Sequence, residues 1–263
     1  MSDDKFSREM VLSVRRWCDT LFSFTLSRPA HFRFTAGQFA RIGIDVAQAD
    51  GSVQRVVRAY SVVSSPFAET LEFFSIVVPD GAFTSQLQHL QIGDAIWLEK
   101  IPYGFLTLTR FQQPAPQHLW LLATGTGLAP FLSMLQDFAP WQQYQCIVLV
   151  YSARTHAELA YLAEIQQIAE DFGMDNGQSV GAKFDFVPIV TREAVTPLQA
   201  RLPVLIENGQ LEQQVGLTFN PDLDHILLCG NPAMVEDTRN ALKARGLTMN
   251  RRGVGNIAVE NYW

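Results

Sequence analysis

The second half of the chain alternates continuous apolar segments with amphipathic ones, and this alternation limits the possible folds more than any other feature. Strands that are buried on both faces read as unbroken apolar runs, and helices connect such strands in parallel sheets. The pattern therefore predicts a doubly wound α/β domain. Its predicted strands cover residues 118–125, 146–153, 183–190 and 225–230, and its predicted helices cover 129–138, 156–173 and 232–246.

The first hundred residues show a different pattern, in which short β-prone segments are separated by turn residues. Strands at this spacing are typical of a small antiparallel barrel or sandwich. We predict strands at 10–17, 21–28, 38–44, 56–63, 71–78 and 95–100, with one short helix at 83–90. The proline-bearing stretch 111–117 reads as a linker. The predicted architecture is an antiparallel β-barrel over residues 1–113, followed by the α/β domain over 114–263.

Composition excludes several classes of protein. The chain has 263 residues and a net charge of −6, which disfavours binding to duplex nucleic acid. No apolar run approaches the roughly 18 residues of a membrane helix, and the polar N-terminus is unlike a secretory signal. Three well-separated cysteines fit neither a disulfide framework nor a metal site. We expect a cytoplasmic protein without a metal.

Two turns in the α/β half carry candidate chemistry. Gly125 and Gly127 follow the first apolar strand and precede a helix, so backbone there is able to approach an anionic ligand closely. The stretch is not the usual dinucleotide fingerprint, and a plain tight turn is the alternative. Cys229 ends a later strand, before the turn at Gly230. Ligands bind at the carboxyl ends of such strands, although a buried cysteine is also an ordinary small apolar residue.

Two further segments are ambiguous by themselves. Arg58 and Tyr60 fall on one face of a predicted strand, with Ala59 and Ser61 on the other. A cation beside an aromatic ring is either an ordinary pair of surface residues or a binding site for a flat, anionic ligand. The chain ends in Tyr262 and Trp263, which either dock in the core or cover something flat.

Four segments together closely resemble the ferredoxin–NADP reductases, above all the bacterial kind ending in Tyr-Trp. These segments are RAYS, GTGLAP, CGNP and a terminal aromatic residue. The resemblance spans essentially the whole chain. It implies that the barrel binds FAD, with Arg58 at the pyrophosphate, Tyr60 stacked on the isoalloxazine and Ser61 near the flavin N5. The other FAD contacts that it implies are Ala59, Phe74, Ala82, Phe83, Thr84 and Thr126.

The second domain would bind NADP(H). An arginine accommodates the 2′-phosphate of NADP, whereas NAD sites use an acidic residue. Arg154, Arg192 and Arg201 follow predicted strand ends, and no acidic residue is evident at the site. Surface arginines without a ligand are the alternative. The resemblance adds contacts from Ala153, Thr191 and Asp237.

The resemblance also implies the reaction, in which hydride passes between nicotinamide and flavin N5 and single electrons pass to ferredoxin or flavodoxin. Ser61, Cys229 and Glu260 would surround the reacting atoms, and Tyr262 would stack on the flavin. Trp263 either caps the adenine or holds the tail, and Glu260 alternatively is a solvated carboxylate. An acidic carrier needs a local basic patch, for which Arg15, Arg16, Arg251 and Arg252 are candidates.

Two other functions remain open at this point. A free-flavin or ferric-chelate reductase on the same scaffold would turn over without a protein carrier. A non-catalytic regulator or electron-transfer subunit is the second alternative. The iron–sulfur version of such a subunit is disfavoured, because the chain has no cysteine cluster.

Overall fold

The computed structural model describes residues 5–48, 50–79, 81, 83–175, 178–179 and 181–261, with the side chains of 174–175 and 178–179 left undescribed. Its first half is a six-stranded antiparallel sheet in the order β4-β3-β6-β1-β2-β5. The elements are β1 (Phe6–Arg16), β2 (Leu21–Ser27), β3 (Phe39–Ala47), β4 (Val53–Ser61), β5 (Thr70–Ile76), α1 (Thr84–Leu87) and β6 (Ala95–Glu99). The predicted antiparallel domain is confirmed.

The sheet closes around an aromatic core. Phe22, Phe24 and Phe73 are fully or almost fully buried, and the rings of Phe24 and Phe73 lie 5.6 Å apart. The end of β4 leaves β3 and meets β5, where Val62 forms a bridge to Phe73. This closure brings the end of β4 beside β5.

The second half contains a five-stranded parallel sheet in the order β11-β8-β7-β12-β13 and a small hairpin of β9 and β10. The elements are β7 (His118–Thr124), α2 (Ala129–Leu135), α3 (Phe138–Gln143), β8 (Cys146–Ala153), α4 (Leu162–Gly173), β9 (Met174–Asp175), β10 (Gln178–Ser179), β11 (Lys183–Val190), α5 (Leu202–Glu207), α6 (Gln210–Val215), β12 (Asp224–Gly230), α7 (Pro232–Ala244) and β13 (Ile257–Asn261). Short 3₁₀ turns cover Leu108–Arg110, Gly125–Leu128 and His156–Glu158.

Alternate residues of the parallel strands feed two separate cores, one on each face of the sheet. Leu121 and Leu149 pack with residues of α2, α3 and α4, whereas Leu122 and Val150 pack with residues of α5, α6 and α7. The predicted doubly wound arrangement is therefore confirmed. Among the described residues, no helix combines the length and apolar character needed to cross a membrane.

The structure corrects several predicted element boundaries. The single helix predicted at 156–173 is divided, because Tyr161 has a φ of 64° and cannot continue a helix. The helix predicted at 129–138 ends at Leu135, and the side chain of Asp137 caps α3 by accepting a hydrogen bond from the Ala139 amide. The sequence pattern does not predict α5, α6 or β13.

Polar contacts join the two halves close to the cavities described below. Ser133 Oγ of α2 donates to the carbonyl of Ser64 at 2.8 Å. Gln136 Nε2 donates to the carbonyl of Val63 at 2.9 Å. Because Val63 and Ser64 follow β4, these bonds hold α2 against the strand end that carries the RAYS segment.

Candidate active site

A cavity of about 650 Å³ opens between the end of β4, β5, the segment before α1 and the parallel sheet. Eight of the residues predicted to contact FAD line this cavity. They are Arg58, Ala59, Tyr60, Ser61, Phe74, Phe83, Thr84 and Thr126. Glu260 also lines it, together with Phe39 and Ser75, which the sequence pattern does not single out. The cavity wraps around the end of β4, so both faces of the strand contribute.

Tyr60 is held in place by contacts along its whole length. Its hydroxyl lies 3.0 Å from Ser75 Oγ, its ring lies 5.8 Å from the ring of Phe83, and Phe73 meets it edge-on at 6.4 Å. Burial raises the pKa of Tyr60 to about 12, so the phenol is neutral at physiological pH. The result is a fixed, uncharged aromatic wall.

Arg58 supplies positive charge to the same cavity. Its side chain is exposed, and Nη1 donates to the carbonyl of Val57 at 2.8 Å. The guanidinium has further N–H donors for an anion. The hydroxyl of Thr84, by contrast, already bonds both the N–H and the carbonyl of Val78, so its predicted contact with a pyrophosphate is not preformed.

Ser61 and Glu260 meet at one end of the cavity. Ser61 Oγ donates to Glu260 Oε1 at 3.2 Å. Burial is the larger influence on this carboxyl and raises the pKa of Glu260 to about 7, against the opposing hydrogen bond from Ser61. Glu260 is therefore a half-buried carboxyl with a pKa near neutral pH, rather than a fully solvated terminal carboxylate.

Cys229 lies directly beside this pair in the sheet but does not line either cavity described here. It is fully buried, and it pairs with Glu260 in the parallel register of β12 and β13. A Cβ added at Gly127 would lie 2.2 Å from the Cys229 carbonyl oxygen. The backbone of Cys229 therefore packs against the GTG turn, and direct contact of its thiol with a ligand stays a prediction.

A second cavity, of about 550 Å³, lies at the carboxyl ends of β7, β8, β11 and β12. The residues predicted to contact NADP all line it, namely Ala153, Arg154, Thr191, Arg192, Arg201 and Asp237. Ile76 and Thr126 line both cavities. A ligand that occupies the second cavity therefore extends toward the first at these two residues.

The glycine turns of β7 and β12 interlock at the second cavity. Gly230 has a φ of 139°, and a Cβ added there would lie 2.3 Å from Thr124 Oγ1. The Asn231 amide donates to the same oxygen at 3.2 Å, and the Asn231 side chain accepts from the first amides of α7. Only glycine fits at Gly127 and Gly230 without displacing the neighbouring strand end.

Three arginines do lie together in the second cavity, but the prediction that no acidic residue accompanies them is wrong. The Arg192 amide donates to the carbonyl of Arg154 at 2.9 Å, which ties the ends of β8 and β11 together. Glu158 lines the same cavity and binds Arg154 at 2.5 Å. The pair joins the end of β8 to the 3₁₀ turn His156–Glu158, and no local sequence feature distinguishes Glu158 from a surface residue of the helix predicted over 156–173.

The remaining predicted residues fall into two groups. Ala82, Tyr262 and Trp263 lie outside the described residues. Of the four arginines proposed for a basic patch, Arg15 pairs with Glu164 and Arg16 donates to the Gln88 carbonyl. Arg251 and Arg252 are exposed in the segment that precedes β13.

The geometry defines a class of protein, namely a two-domain flavin-dependent oxidoreductase linked to a nicotinamide dinucleotide. The chain matches the family model of the oxidoreductase FAD-binding domain over residues 17–107 and that of the oxidoreductase NAD-binding domain over residues 121–240. It is 42% identical over 245 residues to the ferredoxin–NADP reductase of Pseudomonas aeruginosa, with 93% of this chain and 92% of that protein covered.

The chain is also 40% identical over 256 residues to the flavodoxin/ferredoxin–NADP reductase of Escherichia coli, with 96% of this chain and 97% of that protein covered. The ferredoxin NADP⁺ reductase of Neisseria gonorrhoeae, solved with bound FAD and NADP, superposes with a TM-score of 0.86 at 35% identity and 98% coverage of both chains. The chain belongs to the ferredoxin–NADP reductase family. It is an FAD- and NADP-dependent oxidoreductase that transfers electrons.

Proposed function

We propose that this chain oxidises NADPH and passes the electrons to ferredoxin or flavodoxin, the carriers in the names of its relatives. FAD occupies the first cavity, in a domain over residues 1–113. The dinucleotide occupies the second cavity, in a domain over 114–263. The observation that supports this arrangement most strongly is that Ile76 and Thr126 line both cavities, so the two ligands meet there.

The chemistry of the first cavity fits FAD. Tyr60, Phe74 and Phe83 give flat apolar walls, and Arg58 gives a cation for the pyrophosphate. FAD, when bound, accepts a hydride from nicotinamide and releases the two electrons singly. Tyr60 and Phe74 orient the ring system and exclude water from its faces.

Ser61 and Glu260 are the residues of the protein that hold and transfer the proton of the reaction. Their hydrogen bond of 3.2 Å places a hydroxyl and a carboxyl at the flavin cavity. With a pKa of about 7, Glu260 exchanges a proton at physiological pH. We propose that Glu260 holds this proton and that Ser61 carries it to the reacting end of the cavity.

The arginines of the second cavity select the nucleotide. Arg192 and Arg201 are exposed, and neither forms an ion pair with another residue in the described part of the chain. They are therefore ready to bind the 2′-phosphate, which only NADPH carries. A cytoplasmic location stays a prediction.

The purified protein tests the proposal directly. We expect a flavin absorption spectrum that NADPH bleaches much faster than NADH does. Reduction of cytochrome c by NADPH is expected to require added ferredoxin or flavodoxin. Full turnover with free flavin or a ferric chelate, and no gain from either carrier, would instead identify a reductase of small acceptors.

A further inference from the structure

Arg154 and Glu158 are bound to each other inside the nucleotide cavity. Arg154 donates from Nη2 to Glu158 Oε1 at 2.5 Å and from Nε to Oε2 at 3.1 Å. Its backbone amide also donates to Oε2, at 3.0 Å. The Glu158 side chain is only 15% exposed, against 48% for Arg154. The carboxylate thus lies beneath the guanidinium and occupies one complete edge of it.

The position of this pair in the fold indicates which part of a bound dinucleotide it would contact. Arg154 follows β8, which is the parallel strand after the GTG turn of β7. In the Rossmann fold, which shares this strand–turn–helix–strand arrangement, a residue near this point meets the adenosine ribose, and it is an arginine for a 2′-phosphate or a carboxylate for a 2′-hydroxyl. This chain places both groups there.

The pair is ionised at neutral pH. Burial opposes ionisation of Glu158, but hydrogen bonds and charge from Arg154 outweigh it and hold the pKa of Glu158 below its usual value. Hydrogen bonding to Glu158 likewise raises the pKa of Arg154. Two opposite charges in contact contribute almost no net charge to the cavity. The other charged side chains that line it are Arg192, Arg201 and Asp237, so the remaining positive charge is that of the two arginines, partly offset by Asp237.

We propose that Glu158 is a specificity-determining residue, whose carboxylate occupies Arg154 and reduces the preference of this enzyme for NADPH over NADH. The 2′-phosphate is held by Arg192 and Arg201, while Arg154 is partly neutralised. The proposal rests on the proposed function, since it assumes that the second cavity binds NADPH.

Steady-state kinetics with ferricyanide as acceptor test the proposal on the holoenzyme. In Glu158→Gln we expect the ratio of kcat/KM for NADPH to that for NADH to rise about three- to tenfold, through a lower KM for NADPH. That size corresponds to removal of one charge several ångströms from a phosphate in a hydrated, screened site. Asp185→Asn is the matched control, since Asp185 lies on β11 of the same sheet and binds Lys183 instead. We expect no change in the ratio for that control.

A second pair of variants tests whether the Glu158 carboxylate repels the phosphate of NADPH or instead holds Arg154 in position to bind it. Arg154→Ala leaves Glu158 in the cavity as an unpaired carboxylate, so we expect a higher KM for NADPH than in the double variant Arg154→Ala/Glu158→Gln. An unchanged or lower NADPH/NADH ratio in Glu158→Gln would overturn the proposal, and so would equal KM values in the two Arg154 variants. Failure of the proposed function looks different, because the wild-type protein itself would then lack bound flavin or NADPH oxidation.

Discussion

The hydroxyl of Tyr161 donates a 2.7 Å hydrogen bond to the carboxylate of Glu72 and thereby joins the two domains. Glu72 lies on β5 of the barrel, and Tyr161 precedes α4 of the α/β domain. The ring of Tyr161 packs 4.4 Å from Trp17 and meets Phe74 edge-on at 5.1 Å. Since Phe74 lines the flavin cavity, this contact supports the cavity wall from behind.

Loss of the Tyr161 hydroxyl is expected to destabilise the protein. Tyr161→Phe keeps the ring but leaves an oxygen of the half-buried Glu72 without its donor, which costs about 1–3 kcal/mol of unfolding free energy. Urea denaturation measures this cost. The control is Glu72→Gln in the Tyr161→Phe background, because an amide is less costly to leave without this donor than a carboxylate. An unchanged urea midpoint in Tyr161→Phe would contradict the contact.

Stability is expected to depend on pH through Glu260. Burial raises the pKa of Glu260 to about 7, so ionisation is less favourable in the folded state than in the unfolded one. This raised pKa means that the wild type loses stability as pH rises from about 4.5 through about 7. Glu260→Gln lacks this loss.

We therefore expect Glu260→Gln to match the wild type near pH 4.5 and to exceed it by roughly 1–3 kcal/mol at pH 8. Urea unfolding at the two pH values measures the difference. In the same variant, any ionisation near pH 7 in the profile of kcat is expected to disappear. A stability difference that is constant with pH would show that Glu260 does not titrate in this window.

FAD affinity is expected to depend on Arg58. Its exposed guanidinium lines the flavin cavity, and loss of a charge-assisted contact costs roughly 1.5–3 kcal/mol, or about ten- to a hundredfold in affinity. Arg58→Ala should therefore release flavin on dialysis. Arg33→Ala, at another exposed position of the barrel, removes the same charge as a control. Flavin retained at wild-type affinity in Arg58→Ala would rule out the contact.

Arg192 is expected to discriminate between the two nicotinamide nucleotides. Arg192→Ala should raise the KM for NADPH about tenfold or more and leave that for NADH almost unchanged, because only NADPH carries the phosphate. Steady-state assays with ferricyanide measure both values. Equal losses with NADPH and NADH would mean that Arg192 acts on the fold or the flavin instead.

The basic patch is expected to involve the exposed pair before β13. Arg251→Glu together with Arg252→Glu should raise the KM for ferredoxin or flavodoxin several-fold, most clearly at low salt. Ferricyanide reduction should be unaffected, since that small acceptor needs no docking surface. Arg15→Glu is the comparison, because Arg15 is already paired with Glu164. A change in KM for Arg15→Glu alone would place the patch at β1.

Sequence patterns predicted the parallel strands and the side chains at their carboxyl ends, because unbroken apolar runs and the residues after them are local features. They did not predict β13, since a strand of five residues carries little periodicity and this strand depends on pairing with β12. The break in the predicted helix at Tyr161 was not predicted either, because the left-handed backbone of this residue is stabilised by contacts from the other domain. Glu158 was not predicted as a cavity residue, because the local sequence around a residue on a helix surface does not differ from that around a residue that lines a cavity.

The hydrogen bond from Ser61 to Glu260 joins residues that lie 199 positions apart. This contact requires the barrel and the parallel sheet to be docked against each other, so it is lost when the two separate. Glu260 lies on β13, an edge strand held by one neighbour, and edge strands detach at a lower free energy than the core. Enzymatic activity should therefore vanish at denaturant concentrations that leave most of the secondary structure intact.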